Sequence, residues 1–171
     1  MPLSHTYRTD LRWTGNRGTG TSGYGAYGRD HLITSAGKAP IAGSSAPEFR
    51  GDPANYNPEE LLVAALSACH MLWYLHLCSD AGVAVVEYLD SAEGTMDLNA
   101  DGSGQFSFVT LRPRVTISSG SPDRARTLHE RAHEMCFLAR SVNFPVRCES
   151  TISFATASPP ADDLRPPTDF P

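Results

Sequence analysis

NPEELLVAALSACHMLWYLHLC, residues 57–78, is the stretch on which the fold turns. Asn57 is a good helix N-cap, Pro58 suits the first helical position, and Glu59 and Glu60 put carboxylates beside unpaired N–H groups. From Leu61 to Cys78 only Ser67, His70 and His76 interrupt the apolar run, and Gly82 supplies a C-terminal stop. At 18 residues the run meets the lower length limit for a membrane span. It holds two histidines and a serine, is bracketed by Glu59, Glu60 and Asp80, and is the one such segment. The expectation is therefore a central helix buried on all sides, with no membrane involved.

Upstream, residues 5–13 alternate strictly, with His5, Tyr7, Thr9, Leu11 and Trp13 on one face, which predicts a half-buried strand. Residues 14–28 carry six glycines, suggesting a turn and a bent second strand. They include a literal G-x-G-x-x-G at Gly18, Gly20 and Gly23, but no helical periodicity follows, so a dinucleotide site is not supported. A third short strand is expected at His31–Thr34, then a loop through residue 56. Downstream, 83–98 and 105–117 read as strands joined by a turn at NADGSG, residues 99–104. Ser121 and Pro122 announce a second helix, with an apolar stripe of Ala125, Leu128, Ala132, Met135, Cys136 and Ala139. Val146–Phe154 reads as the last strand. The order βββ-α-ββ-α-β predicts an α+β fold in one domain, residues 1–157. SPPADDLRPPTDFP, residues 158–171, is a proline-rich tail without pattern.

A net charge of −5 with no basic block gives no footing for nucleic acid or an anionic membrane surface. The opening MPLSHTYRTD has no apolar signal region, so the expected location is cytoplasmic. Cys69, Cys78, Cys136 and Cys148 are then expected as thiols, not as a disulfide framework.

Cys69 lies about eleven residues into its helix, beyond the first turn on which the helix dipole acts. A thiolate there needs a cation from another part of the chain, and arginine keeps its charge in an apolar site. His70 does not serve, because adjacent helical residues point about 100° apart. Cys78 is nine residues on, about 180° around the helix, so it cannot bridge to Cys69. Cys148 faces the core side of the last strand. Each cysteine alone reads as a small core residue; Cys69 and Cys136 on two facing helices lean toward redox chemistry. A second motif competes: HERAH, residues 129–133, is a literal H-E-x-x-H, and with Cys136 it sketches a zinc site of His129, His133 and Cys136. The charged residues around it, and the lack of a third-ligand helix, argue for a solvated helix face instead.

Residues 57–70, NPEELLVAALSACH, resemble the signature of the OsmC/Ohr family of osmotically inducible and organic hydroperoxide resistance proteins. RAHEMCFLARSV, residues 131–142, resembles that family's second-cysteine helix, and the likeness runs from about residue 5 to 157. The resemblance implies a thiol-dependent peroxidase that reduces organic hydroperoxides, with Cys69 peroxidatic and Cys136 resolving. It implies that Glu59 holds an active-site arginine. RGTGT at Arg17–Thr21 is the best match for that arginine, with Arg29 and Arg50 as alternatives because of the extra glycine–tyrosine segment. The implied reductant is a dithiol, either a lipoylated protein or a small thiol, and no metal, flavin or heme is required. Against this stand two other readings. One is an apolar-ligand-binding or redox-sensing protein on the same fold; the other is a zinc hydrolase using HERAH.

Glu59 and Cys69 are ten residues apart, about 15 Å along a straight helix, too far for one Glu–Arg pair to span comfortably. A two-fold axis near residue 64 would cross two copies of the helix antiparallel and bring Glu59 of one toward Cys69 of the other. With the apolar surface of 61–78, this predicts an intertwined homodimer whose sites take residues from both chains.

Overall fold

A computed structural model describes residues 4–155, and the chain falls into two compact units, residues 1–65 and 66–171. The tail expected at 158–171 lies outside the described residues.

In the first unit, β1 (Asp10–Trp13), β2 (His31–Thr34) and β3 (Ile41–Gly43) form an antiparallel sheet in chain order, with Leu11 opposite Ile33 and Ile33 opposite Ile41. The alternation seen from residue 5 forms a strand only from Asp10, and the face expected to be half-buried is exposed, at 68% for Leu11 and 40% for Trp13. Residues 14–28 form no strand, and the third strand lies instead within the expected loop. The reason is local. Gly18 and Gly20 take φ values of 108° and 57°, and Asn16 Oδ1 accepts hydrogen bonds from both their N–H groups, at 2.9 and 3.1 Å. No helix follows the G-x-G-x-x-G, so it forms no dinucleotide loop. The base of this loop is closed: Gly28 N–H donates to Gly15 O at 2.7 Å, and Trp13 Nε1–H donates to Gly28 O at 2.9 Å. A Cβ on Gly15 would sit 2.1 Å from that Gly28 oxygen, which is why a glycine stands there.

Helix α1 spans Pro58–Asp80. It opens with a reciprocal capping box: Glu60 N–H donates to Asn57 Oδ1 at 2.8 Å, and Asn57 N–H donates to Glu60 Oε2 at 3.1 Å. It closes on Gly82 at φ 70°, with Val83 N–H bonded to Cys78 O at 2.9 Å and Gly82 N–H to Ser79 O at 3.2 Å, the Schellman pattern. Both ends therefore fall where the sequence signals them. The lateral expectation fails. Only Leu66, His70, Tyr74 and Cys78 are buried, a single i, i+4 stripe among 23 residues. Ala64, Ala68, Leu72 and His76 form a second stripe that is exposed. The helix has the length and apolarity of a membrane span, yet its first stripe is committed to packing within the chain.

In the second unit the strands are β4 (Ala84–Asp90), β5 (Glu93–Leu98), β6 (Gly104–Leu111), β7 (Pro113–Ser119), β8 (Val146–Cys148) and β9 (Thr151–Phe154). They make two three-stranded sheets, β4-β7-β9 and β5-β6-β8; each has an antiparallel pair and a parallel third strand. The segments expected as single strands at 83–98, 105–117 and 146–154 are each broken once, so every one passes from one sheet to the other. Arg112 ties the breaks together. Its N–H donates to Asp90 Oδ1 at 2.7 Å, and its guanidinium pairs with Glu93 at 2.9 Å and Glu149 at 3.3 Å.

Helix α2 (Pro122–Met135) is capped by Ser121, whose hydroxyl accepts the Arg124 N–H at 3.3 Å. Its outer face carries the ion pairs Arg126–Asp123 and Arg131–Glu134. Its buried stripe is Ala125, His129 and Ala132. Leu128 only flanks the core, and Cys136 and Ala139 of the expected stripe lie beyond the helix. The core gathers Tyr74 and Cys78 of α1 with Val83, Val115, Ile117, Ala125 and Ala132.

Candidate thiol site

Cys69 sits half-buried on α1, between exposed Ala68 and buried His70. Cys136 is the C-cap of α2, with extended backbone (φ −67°, ψ 111°) and 1% exposure. The chain leaves the helix at this residue because Cys136 N–H bonds back to His133 O at 3.2 Å and Arg140 N–H then bonds to Cys136 O at 3.1 Å. Ala139 N–H donates to Cys136 Sγ at 3.4 Å. Burial pushes the Cys136 thiol up to about 11; the Ala139 N–H opposes this, and the neighbouring Cys69 thiol adds to it. The structure thus brings Cys69 and Cys136 together as free thiols.

One turn along α1 from Cys69, Trp73 meets the residue after Cys136: the Trp73 and Phe137 rings pack edge to face, centroids 5.4 Å apart. Phe137 and Leu72 are each 63% exposed, so the ground around the thiols is apolar and open. Cys78 lies in the core, where burial raises its thiol.

The arginines all border the glycine loop of the first unit. Arg29 is committed: its guanidinium donates to Tyr27 O at 2.6 Å and Tyr24 O at 2.9 Å and lies over both tyrosine rings, 4.2 and 4.3 Å from their centroids. Arg50 has left-handed backbone (φ 65°) and reaches toward Gly25 and the Tyr24 ring. Arg17 is exposed beside Gly28 and makes no hydrogen bond or ion pair among the described residues. Glu59 is half-buried in the first turn of α1, about 15 Å along the axis from Cys69.

The HERAH residues do not assemble as the motif suggests. Among the described residues, the convergent metal-ligating group is His70, His129 and Cys148, without His133 or Cys136. His70 Nε2 and His129 Nδ1 are 3.0 Å apart, and Cys148 Sγ is 3.7 Å from His70 Nε2. The two imidazoles are coplanar with centroids 5.3 Å apart, so they meet edge to edge through those nitrogens. Tyr74 stacks on His129 at 3.8 Å. Burial first and His133 second hold His70 down to about 4, against the pull of Asp90. Burial and His70 hold His129 down to about 3, and burial, Asp90 and Glu149 push Cys148 up to about 12. A periodicity count could have found this group. His70 is four residues from both Leu66 and Tyr74, and His129 falls on the stripe of Ala125 and Ala132.

A family model for OsmC-like proteins matches residues 51–151. An OsmC-like protein of unknown function from Vibrio cholerae O1 biovar eltor is 32% identical over 86% of this chain and all of its own, with a TM-score of 0.77. Two organic hydroperoxide resistance proteins share the fold. One, from Elizabethkingia anophelis, is 18% identical, covers 90% of this chain and 100% of its own, and has a TM-score of 0.60. The other, from Legionella pneumophila, is 16% identical, with 89% and 99% covered and a TM-score of 0.61. Among curated proteins none matches.

Proposed function

Since this chain belongs to the OsmC-like family, we propose that it is a thiol peroxidase that reduces organic hydroperoxides to alcohols. The observation that carries the reading is the meeting of two free thiols, half-buried Cys69 and buried Cys136, beside exposed apolar side chains. The Cys69 thiolate attacks the outer peroxide oxygen, and the O–O bond breaks. The departing alkoxide takes a proton to become the alcohol, and Cys69 is left as a sulfenic acid. Cys136 then condenses with it, releasing water and forming a disulfide. A dithiol, lipoylated or small, restores both thiols by exchange and is itself oxidised. Burial holds Cys136 as a neutral thiol. Phe137 and Leu72 favour an alkyl or lipid hydroperoxide over hydrogen peroxide.

Arg17 is the cation that holds the Cys69 thiolate, supported by its uncommitted guanidinium; Arg29 is occupied by two carbonyls and two rings. Glu59 holds Arg17, and because Glu59 lies ten residues from Cys69, the pair serves the Cys69 of a second chain in a homodimer. The exposed apolar stripe of α1 supports that assembly. Free thiols throughout suit a cytoplasmic location.

The test is turnover of cumene hydroperoxide with dihydrolipoamide as reductant. Cys69→Ser should abolish it, and Cys136→Ser should consume one equivalent of peroxide and stall with a sulfenic acid that dimedone traps. If Cys69→Ser keeps more than a few per cent of turnover, the assignment is wrong.

A further inference from the structure

We propose that His70 Nε2, His129 Nδ1 and Cys148 Sγ form a binding site for a divalent metal ion of the zinc class, separate from the Cys69–Cys136 pair. The three atoms come from three elements, α1, α2 and β8, and lie within 4.8 Å of one another. A tetrahedral zinc ion with Zn–N of about 2.05 Å and Zn–S of about 2.3 Å sets its nitrogens about 3.3 Å apart and nitrogen and sulfur about 3.6 Å apart. The corresponding separations here are 3.0 Å between the nitrogens and 3.7 Å from His70 Nε2 to Cys148 Sγ, with the third pair within 4.8 Å. Because the two nitrogens face each other head-on, occupancy asks both rings to turn so that their lone pairs converge on the ion.

The chemistry of the set points the same way. Two imidazoles and a thiolate are borderline-to-soft donors that suit zinc and exclude magnesium or calcium. Without an ion, the two facing nitrogens share one proton. The outer nitrogens, His70 Nδ1 and His129 Nε2, have no hydrogen-bond partner among the described residues. Neither ring is therefore tied to the tautomer that points a proton inward. With an ion bound, both rings carry the proton on the outer nitrogen, and each of those buried N–H groups then needs an acceptor such as a buried water.

Charge also balances. A dication and one thiolate leave a single positive charge, and Asp90 is close enough to influence both His70 and Cys148. Asp90 is itself fixed, accepting from Ser67 Oγ at 2.5 Å and from Arg112 N–H at 2.7 Å, so it lends negative charge nearby without serving as a ligand. Such an ion would pin α1 to α2 one residue from Cys69 and seven from Cys136.

The test titrates cobalt(II), as a spectroscopic stand-in for zinc, into reduced, metal-stripped protein carrying Cys69→Ser and Cys136→Ser. Removing those thiols leaves Cys148 as the intended source of a thiolate-to-cobalt band. The expected result is one cobalt per chain, visible bands of a tetrahedral ion, a near-ultraviolet charge-transfer band, and displacement by zinc. Adding Cys148→Ser should remove the charge-transfer band, and adding His129→Gln should remove the tetrahedral spectrum. Zinc should also shield Cys148 from alkylation, read by mass spectrometry on the protein that still holds Cys148. No stoichiometric uptake, uptake without a thiolate band, or unshielded Cys148 would each show a hydrogen-bonded histidine pair and overturn the site. A band that survives Cys148→Ser would overturn it too. None of these readouts depends on peroxide turnover.

Discussion

Leu72→Glu tests whether the exposed stripe of α1 is covered by a second chain. Ala64, Ala68, Leu72 and His76 recur every four residues on the side opposite Leu66, His70, Tyr74 and Cys78, so the uncovered side is nearly as apolar as the covered one. The two alanines at one-turn spacing also let a second helix approach closely. Leu72 is 63% exposed. Full burial of a leucine is worth about 1.5–3 kcal/mol, so covering this one contributes about 1–2 kcal/mol per chain and about 2–4 kcal/mol per symmetric pair. Losing that term alone raises the dissociation constant by about 30- to 1,000-fold, and stranding a carboxylate in the interface adds to it. Sedimentation velocity over a dilution series reads the shift, with far-ultraviolet circular dichroism confirming the fold. A wild-type chain that stays monomeric throughout, or a Leu72→Glu dimer as tight as wild type, refutes the reasoning.

If the sites are shared between chains, refolding Cys69→Ser with Glu59→Ala protomers gives heterodimers with one doubly damaged site and one intact site. Partial peroxidase activity should therefore return, and verified heterodimers without recovery would rule out sharing. Arg17→Ala should slow alkylation of Cys69 by iodoacetamide near neutral pH more than Arg29→Ala or Arg50→Ala does; a larger effect from Arg29→Ala would move the cation to the glycine–tyrosine segment. Cys136, held at about 11 against an ordinary 9.0, has about a hundredfold less thiolate at pH 8 than an unperturbed thiol. Because burial is the largest cause, the shift should persist in Cys69→Ser, where the rate of Cys136 alkylation should still be climbing at pH 10; a plateau near pH 9 would contradict it.

The termini of α1 were legible because caps are local: Asn57, Glu60 and Gly82 make their bonds within a few residues. The strand breaks were not, since they depend on three distant segments meeting at Arg112. One of them left a trace. Pro113 cannot donate to a ladder, and a proline inside an apparent strand marks an edge or an interruption. The glycine loop misled in the opposite sense, because Gly18 and Gly20 sit in left-handed or near-left-handed backbone that ends pairing rather than bending it. The arginine assignment depends on that same loop, and glycine-rich backbone carries little information about where a neighbouring guanidinium points.

The histidines were misjudged for a different reason. HERAH lies among Arg126, Glu130, Arg131 and Glu134, and those charges suggest a solvated face. Yet a helix has two faces, and spacing decides which one a residue joins. His129 is four residues after Ala125 and three before Ala132, so it turns inward while its charged neighbours turn outward. The same rule separates Cys69 from His70. They are adjacent in sequence, but about 100° of helical rotation sends Cys69 to the open thiol pair and His70 to the buried group with His129 and Cys148. Adjacency in CH, residues 69–70, is therefore not a catalytic dyad. It is the point where one helix serves two places, and a loss of activity on changing His70 must be read against Cys69 alkylation before it is assigned to either.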